Sequence, residues 1–343
     1  MTVTALSAGL VALGGGGALA AAPARSHAPK PLPAHVAAPY FEAWTGESPA
    51  ALAAASGNKY LTMAFLQTDA PGSCTAYWNG ATAQPIDKAS FGADIARIQA
   101  RGGNVIPSFG GYSADTTGTE LADSCTSVDA IAKVYESLVT TYGVTRIDLD
   151  IEADSINYTA GIDRRNKAIA KVQRWAERTR HHVQFSYTLP TFANGLAPSG
   201  VALLRNAVDN GARVDVVNIM TFDYWDGATH DMAADTRTAA TGLHDQLAAL
   251  HPEKSPAKLW NTIGVTEMPG IDDYGPEETF TTQDAVAVEK WAAARGINTL
   301  SFWALQRDNG GCVGTAGANA CSGIAQDTWY FSHTFERFTH GGR

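Results

Sequence analysis

The chain has 343 residues, of which 45% are apolar and only 17% charged, enough for one large α/β barrel or two ordinary domains. Its 34 acids against 25 bases leave a formal charge of −9, and no basic run stands out, which argues against a nucleic-acid partner. This balance suits a soluble protein that acts on a neutral ligand.

Residues 1–24 carry a short apolar core, four glycines and an Ala-x-Ala pattern before Pro23. That is the outline of a secretory signal with a cleavage site, although the basic residues that usually lead one are missing. A disordered Ala/Gly tail is the alternative. The stretch is too rich in small residues to span a membrane, and no membrane partner is expected. Residues 25–34, with three prolines, read as a linker, and the catalytic domain is expected over 35–343.

Beyond the linker, strand-like and helix-like segments alternate. Strands are predicted at His35–Trp44, Tyr60–Gln67, Gly103–Gly110, Arg146–Glu152, Val183–Leu189, Val214–Phe222, Lys258–Thr266 and Thr299–Leu305. Helices are predicted at 89–101, 127–142, 163–179, 199–210, 233–250, 284–295 and 325–338, with Gly102, Gly143, Gly211 and Gly296 placed to stop four of them. Eight β segments alternating with helices predict a (β/α)8 barrel, with no second domain. Four cysteines without metal-ligand spacing suggest two disulfides in a secreted chain. Proximity favours Cys312–Cys321, leaving Cys74–Cys125.

The fourth strand carries the chemistry. In Arg146-Ile147-Asp148-Leu149-Asp150-Ile151-Glu152 the side chains alternate faces, so Asp148, Asp150 and Glu152 share one face and the three aliphatic residues the other. Carboxylates stacked at steps of about 7 Å cannot all ionise cheaply. At least one is expected to stay protonated near neutral pH, as a general acid must. A solvated strand face and an Mg²⁺ or Ca²⁺ site are the competing readings. No second acidic cluster or histidine at ligand spacing supports a metal, so no metal and no cofactor is expected.

Working residues of such a barrel sit at the C-terminal ends of its strands. There the chain places Tyr40, Glu42 and Trp44 on strand one, Ser108, Gly110 and Gly111 on strand three, Met220 to Trp225 on strand six, and Trp303 and Gln306 on strand eight. Aromatic faces stack on the apolar faces of sugar rings, while carboxylates and amides take their hydroxyls. The rim reads as a sugar cleft.

These residues resemble glycoside hydrolase family 18, the chitinases and endo-β-N-acetylglucosaminidases. The family's Asp-x-x-Asp-x-Asp-x-Glu is met by Asp148, Asp150 and Glu152, with Thr145 in place of the first acid; its Ser-x-Gly-Gly is met by Ser108, Gly110 and Gly111. Its Met-x-Tyr-Asp is met by Met220 and Asp223 with Phe222 replacing the tyrosine, and its strand-eight tryptophan by Trp303. The resemblance covers about residues 34–340. It implies substrate-assisted retaining hydrolysis, an exception to the usual pair of carboxylates. Glu152 would protonate the glycosidic oxygen, the substrate's 2-acetamido oxygen would attack, Asp150 would orient the acetamide, and Asp148, backed by Ser108, would share a proton or hydrogen bond with Asp150. Tyr224, on the face of residue 222 if the strand continues, would supply the missing hydroxyl. Tyr40, Trp44, Gly110, Met220, Asp223, Trp225, Trp303 and Gln306 would bind sugar.

Some family members insert a small α+β domain after strand seven. Here the predicted gap from Thr266 to Asp284 is too short for one, which implies an open cleft and endo-cleavage; the enzyme is expected to be secreted and to act as a monomer on chitin or chito-oligosaccharides. An endo-β-N-acetylglucosaminidase acting on N-glycan cores, and a non-catalytic chitin-oligosaccharide-binding relative, are the alternatives. Glu42 and Glu267, at strand ends, are further candidates to touch substrate. The glycosylation sequon Asn157-Tyr158-Thr159, the turn at Asp308-Asn309-Gly310 and His181-His182 carry no functional expectation.

Overall fold

The hydrogen-bond ladder of the main sheet begins and ends on one strand. Val36–Ala37 pairs with Thr299–Phe302, and Tyr40–Glu42, a few residues on, pairs with Tyr60–Thr68. These two pieces form β1, and between them run β2 (Tyr60–Thr68), β3 (Asn104–Gly110), β4 (Arg146–Asp150), β5 (Gln184–Phe192), β6 (Val216–Met220), β7 (Ile263–Glu267) and β8 (Thr299–Phe302). Every neighbouring pair is parallel. The sheet is therefore closed, and the predicted (β/α)8 barrel is the observed fold. The structure, a computed structural model, describes residues 31–341 together with residues 1, 2 and 4. The expected secretory segment and most of the expected linker lie outside the described residues. No helix among the described residues is long and apolar enough to cross a membrane.

A helix follows each strand: α1 (Pro49–Ser56), α2 (Gly92–Ala100), α3 (Val128–Tyr142), α4 (Thr159–Thr179), α5 (Pro198–Asp209), α6 (Met232–Leu250), α7 (Thr282–Arg295) and α8 (Tyr330–Thr339). Gly102, Gly143, Gly211 and Gly296 follow α2, α3, α5 and α7, as expected. Local chemistry sets the starts. Ser127 accepts the Ala130 N–H to open α3, and Thr281 and Asp284 form a reciprocal capping box at α7. The absent prediction is α1. Its Ala-rich eight residues have no apolar periodicity, and only its ends signal a helix: Ser48 caps the Ala51 N–H, and Pro49 occupies the first turn.

Several strand boundaries differ from expectation, three of them with consequences for the loops. The segment expected to open β7 is helical at Pro256–Trp260, because proline fixes a helix-compatible φ and removes a strand donor. β8 stops at Phe302, where the chain enters a turn over Leu305–Arg307. β6 stops at Met220, and Asp223 then adopts a left-handed φ of 54°. Within β4 the predicted alternation holds. Ile147, Leu149 and Ile151 are buried in the layer between sheet and helices, while Asp148 and Asp150 turn into the barrel. Both disulfides, Cys74–Cys125 and Cys312–Cys321, pair as proximity suggested.

Candidate active site

Register brings the acids to their partners. Ser108 on β3 and Ser186 on β5 both lie level with Asp148, and Gly110 and Thr188 lie level with Asp150. Asp148 is consequently enclosed by hydroxyls. Ser108 Oγ donates to Oδ2 at 2.7 Å, Tyr40 Oη to Oδ2 at 3.0 Å, Ser186 Oγ to Oδ1 at 2.6 Å, and Thr188 Oγ1 to both oxygens at 3.0 and 3.1 Å. Burial raises the Asp148 pKa, and these donors oppose the rise because they favour the carboxylate.

Asp150, one rung higher, is equally buried, yet its Oδ1 has no partner among the described residues. Burial first, then the charges of Glu152, Asp148 and Asp115, hold its carboxyl well above the usual range. Among the described residues the direct hydrogen-bond partners of Asp148 are this ring of hydroxyls. Glu152 lies two residues past the end of β4 and is half-buried at the rim. Burial pushes it up to about 7, helped by Asp223 and opposed by the Tyr112 backbone N–H. A carboxyl poised there has the proton a general acid must deliver.

The backbone around these acids is fixed by two glycines and an acid that sequence reading missed. A Cβ on Gly110 would collide with the Asp150 carbonyl, and one on Gly111 would sit 2.5 Å from the Phe65 ring. Only glycine lets β3 press so close. Where the β4 ladder runs out, the Glu152 N–H would be left unpaired; it donates instead to Asp115 Oδ2 at 2.6 Å. Asp115 sits on a short helix, Tyr112–Thr117, directly after the glycines, and burial with Glu120 beside it pushes its carboxyl up to about 9. Nothing in the sequence distinguishes this aspartate from a solvated one, since its role depends on a contact between strands.

The aromatic floor lies on the β1, β2 and β8 side. Trp303 stacks on Phe65 with ring centres 5.5 Å apart, and Trp44 lies 6.3 Å from Phe65 and 6.0 Å from Trp303. Tyr40 tilts beneath, 5.6 Å from Trp303. Trp44 is exposed and Trp303 half-exposed, so both offer edge and face to a ligand. Phe65 was not expected here, because it sits within the apolar run 63–66 of β2. Across the cleft Trp225 is 62% exposed, edge-on to Tyr274 at 5.1 Å.

Four candidate residues are buried or engaged elsewhere. Gln306 is not free for a ligand, since it holds β1 to the turn after β8: the Glu42 N–H donates to its Oε1 at 3.2 Å, and its amide donates to the Glu42 carbonyl at 3.3 Å. Glu42 and Glu267 are fully buried, and Glu267 accepts from the Thr236 hydroxyl at 2.8 Å. Tyr224 is the second correction. Because β6 ends at Met220 and Asp223 has positive φ, the period of two does not extend to residue 224. The Tyr224 ring lies tilted against His230 at 4.9 Å, and burial and then the charges of Glu267, Asp235, Glu278 and Asp272 raise its phenol. Met220 and Asp223 do lie at the rim, half-exposed.

The turn Asp223–Trp225 owes its shape to acids that arrive from the β7–α7 connection. The Asp223 N–H donates to Asp272 Oδ2 at 3.0 Å, and the Tyr224 and Trp225 N–H groups donate to Glu278 at 2.8 and 3.1 Å. Asp223, Asp272 and Glu278 bring one oxygen each within 4.8 Å of one another. Each carboxylate already accepts backbone N–H groups, Asp223 from Tyr274 at 3.3 Å, which is the chemistry of a loop clasp. This connection is a small hairpin, Gly270–Ile271 with Thr279–Phe280, in place of a larger insertion.

So many buried acids make stability depend on pH. Burial pushes Glu42 and Glu152 up to about 7, Glu267 and Asp272 up to about 8 and Asp115 up to about 9, all above their unfolded values. The folded state then binds more protons than the unfolded one, and stability falls as pH rises. The expected result is a melting temperature that declines steadily between about pH 5 and pH 9. A calorimetric scan series that is flat or rising over that window would refute it.

The profile of the glycosyl hydrolases family 18 matches residues 36–267. A probable bifunctional chitinase/lysozyme of Escherichia coli (strain K12) is 31% identical over 324 residues, covering 90% of this chain and 35% of that protein. Endochitinase 11 of Metarhizium anisopliae is 31% identical over 291 residues, covering 81% of this chain and 53% of that protein. The chain thus spans a third to a half of the length of these curated relatives. Among solved structures, the catalytic domain of a hyperthermophilic chitinase from Pyrococcus furiosus superposes with a TM-score of 0.78 at 31% identity, over 92% of this chain and 98% of that one.

Proposed function

Since the chain belongs to glycosyl hydrolase family 18, we propose that it is a retaining endo-chitinase that cuts β-1,4-linked N-acetylglucosamine polymers with the help of the substrate's own acetamide. The observation that carries this reading is the unequal treatment of three acids on one strand face. Asp148 is surrounded by donors, Asp150 keeps an oxygen free, and Glu152 sits at the rim with its proton held to about 7.

The steps follow from those environments. Glu152 gives its proton to the glycosidic oxygen as that bond breaks. The acetamide oxygen closes on the anomeric carbon from the opposite face, forming a C–O bond and an oxazolinium ring. Asp150, whose free oxygen lies just below Glu152, accepts the acetamide N–H, and as its own proton passes to the Asp148 carboxylate its charge offsets the positive charge that develops on the ring. Asp148 holds the register of Asp150 from beneath. Water then attacks the anomeric carbon, Glu152 takes its proton, and the ring opens with the original configuration restored. The floor of Trp303, Phe65 and Trp44 supplies an apolar face for the sugar ring, and the charge of Asp223, in the turn after β6, acts on Glu152. Tyr224 enters only as support for the turn that carries Asp223.

The short hairpin after β7 leaves one side of the cleft unwalled, which favours endo-action on loose chains. Two disulfides suit an oxidising, extracellular setting, and action as a monomer is part of the same reading. The deciding experiment is a digest of N-acetylglucosamine hexamer with anomers resolved at early times. Dimer to tetramer products appearing first as the β-anomer are expected. An intact hexamer beside a cleaved high-mannose glycopeptide would move the protein to the endo-β-N-acetylglucosaminidases. Binding of both without cleavage would make it a lectin-like relative.

A further inference from the structure

Arg146 is the largest charged side chain inside the barrel, and the hydrolytic scheme gives it no task. It opens β4, is 1% exposed, and occupies the same face as the acids. Its guanidinium donates to Gln184 Oε1 at 2.9 and 3.1 Å, to Thr299 Oγ1 at 2.9 Å and to Asn298 Oδ1 at 3.0 Å. All three acceptors are neutral. They satisfy its hydrogen-bonding geometry and leave its charge uncompensated. An isolated buried charge is costly enough that an anion should lie within reach.

Two anions are available. Asp215, at the foot of β6, is already held by Arg213 Nε at 2.8 Å and by the Phe185 N–H at 3.0 Å. The other is Asp148, the next residue inward on the same strand face, about 7 Å higher by strand geometry. Asp148 is the mirror case: its direct partners, Tyr40, Ser108, Ser186 and Thr188, are all neutral donors. Cation and anion are thus stacked one rung apart in the barrel core, each solvated by neutral groups.

We propose that Arg146 is an electrostatic positioning residue, the counter-charge that keeps Asp148 ionised and so leaves the proton of the Asp148–Asp150 pair on Asp150. The inference rests on the hydrolase reading above. Four observations meet in it: the shared strand face, the neutral partners of Arg146, the hydroxyl ring that suits a carboxylate at Asp148, and the donor-free oxygen of Asp150. The titratable and charged groups facing Asp148 are Arg146 and Asp150 on its own strand and Tyr40 from β1; β3 and β5 present only hydroxyls. Arg146 faces Asp148 on its own strand and Asp215 from the segment before β6, while β5 and β8 present it neutral groups. Burial brings the Arg146 guanidinium down to about 10, with Asp215 and Asp148 opposing the fall, so its charge persists through the neutral range.

The sign of the expected change is fixed. Removing a cation makes Asp148 easier to protonate, so activity that needs its carboxylate is lost at a higher pH. In Arg146→Met and Arg146→Gln the acidic limb of kcat/KM on the hexamer should move up by about one pH unit, with the alkaline limb, set by Glu152, in place. Arg146→Lys, which keeps the charge, should restore the acidic limb even if it melts lower. A purely structural arginine would lower the melting temperature in all three variants and leave the limb of the surviving folded enzyme unmoved. That result overturns the proposal.

A second readout separates this inference from the hydrolase reading. The carboxyl carbon of Asp148, assigned with Asp148→Asn, can be titrated by NMR in wild type and in Arg146→Gln without any substrate. An inactive wild type whose Asp148 titration still shifts upward in the variant would sink the hydrolase reading alone. An active wild type with no such shift would sink the role of Arg146 alone.

Discussion

Glu152→Gln is expected to leave the barrel folded, to bind chito-oligosaccharide with KM nearly unchanged, and to lower kcat by about a thousand-fold, or about 4 kcal/mol of transition-state stabilisation. Glutamine fills the same space at the end of β4, and the Glu152 backbone N–H keeps its bond to Asp115. What disappears is the transferable proton. The loss should depend on the leaving group. An aryl glycoside, whose phenolate departs without protonation, should recover much of the lost rate, because it asks little of a general acid. In the wild type kcat/KM should fall as pH rises through about 7, where Glu152 loses its proton. A variant with normal turnover of the hexamer, or one equally impaired on aryl and sugar leaving groups, would remove Glu152 from the role of acid.

How far the sequence discloses this site depends on whether a residue's role is local or arises between strands. The three acids of β4 were legible because strand alternation is a local rule, and the closed barrel enforces it by burying Ile147, Leu149 and Ile151. Ser108 and the two glycines were legible through their motif. Asp115 was not: it becomes the acceptor for Glu152 only once β3 and β4 lie side by side. Phe65 was likewise hidden in an apolar run, and its stacking on Trp303 requires β2 and β8 to flank β1. Tyr224 failed for the opposite reason. A local rule was extended past the strand, where Asp272 and Glu278 dictate a left-handed turn. Gln306 shows the same limit: a polar side chain at the rim, it ties the Glu42 backbone to the turn after β8.

Asp150→Asn should lower kcat by about a hundred-fold or more, through a different failure. The asparagine is isosteric and its amide oxygen can still accept the acetamide N–H, so KM should change little. It carries no charge, and it cannot exchange a proton with its neighbours while positive charge builds on the oxazolinium ring. Assistance by the acetamide is needed whatever group departs. The defect should therefore be as large on an aryl glycoside as on the hexamer, in contrast to Glu152→Gln. The pair of variants on the pair of substrates forms a test in which each acid has its own signature. Asp148→Asn supplies the control from below: its neighbours Ser108, Ser186 and Thr188 would face an amide that can accept on one side only, so part of the hydroxyl ring loses its acceptor. If Asp150→Asn were rescued by an aryl leaving group as fully as Glu152→Gln, the acetamide would not be the nucleophile, and the division of labour along β4 would have to be redrawn.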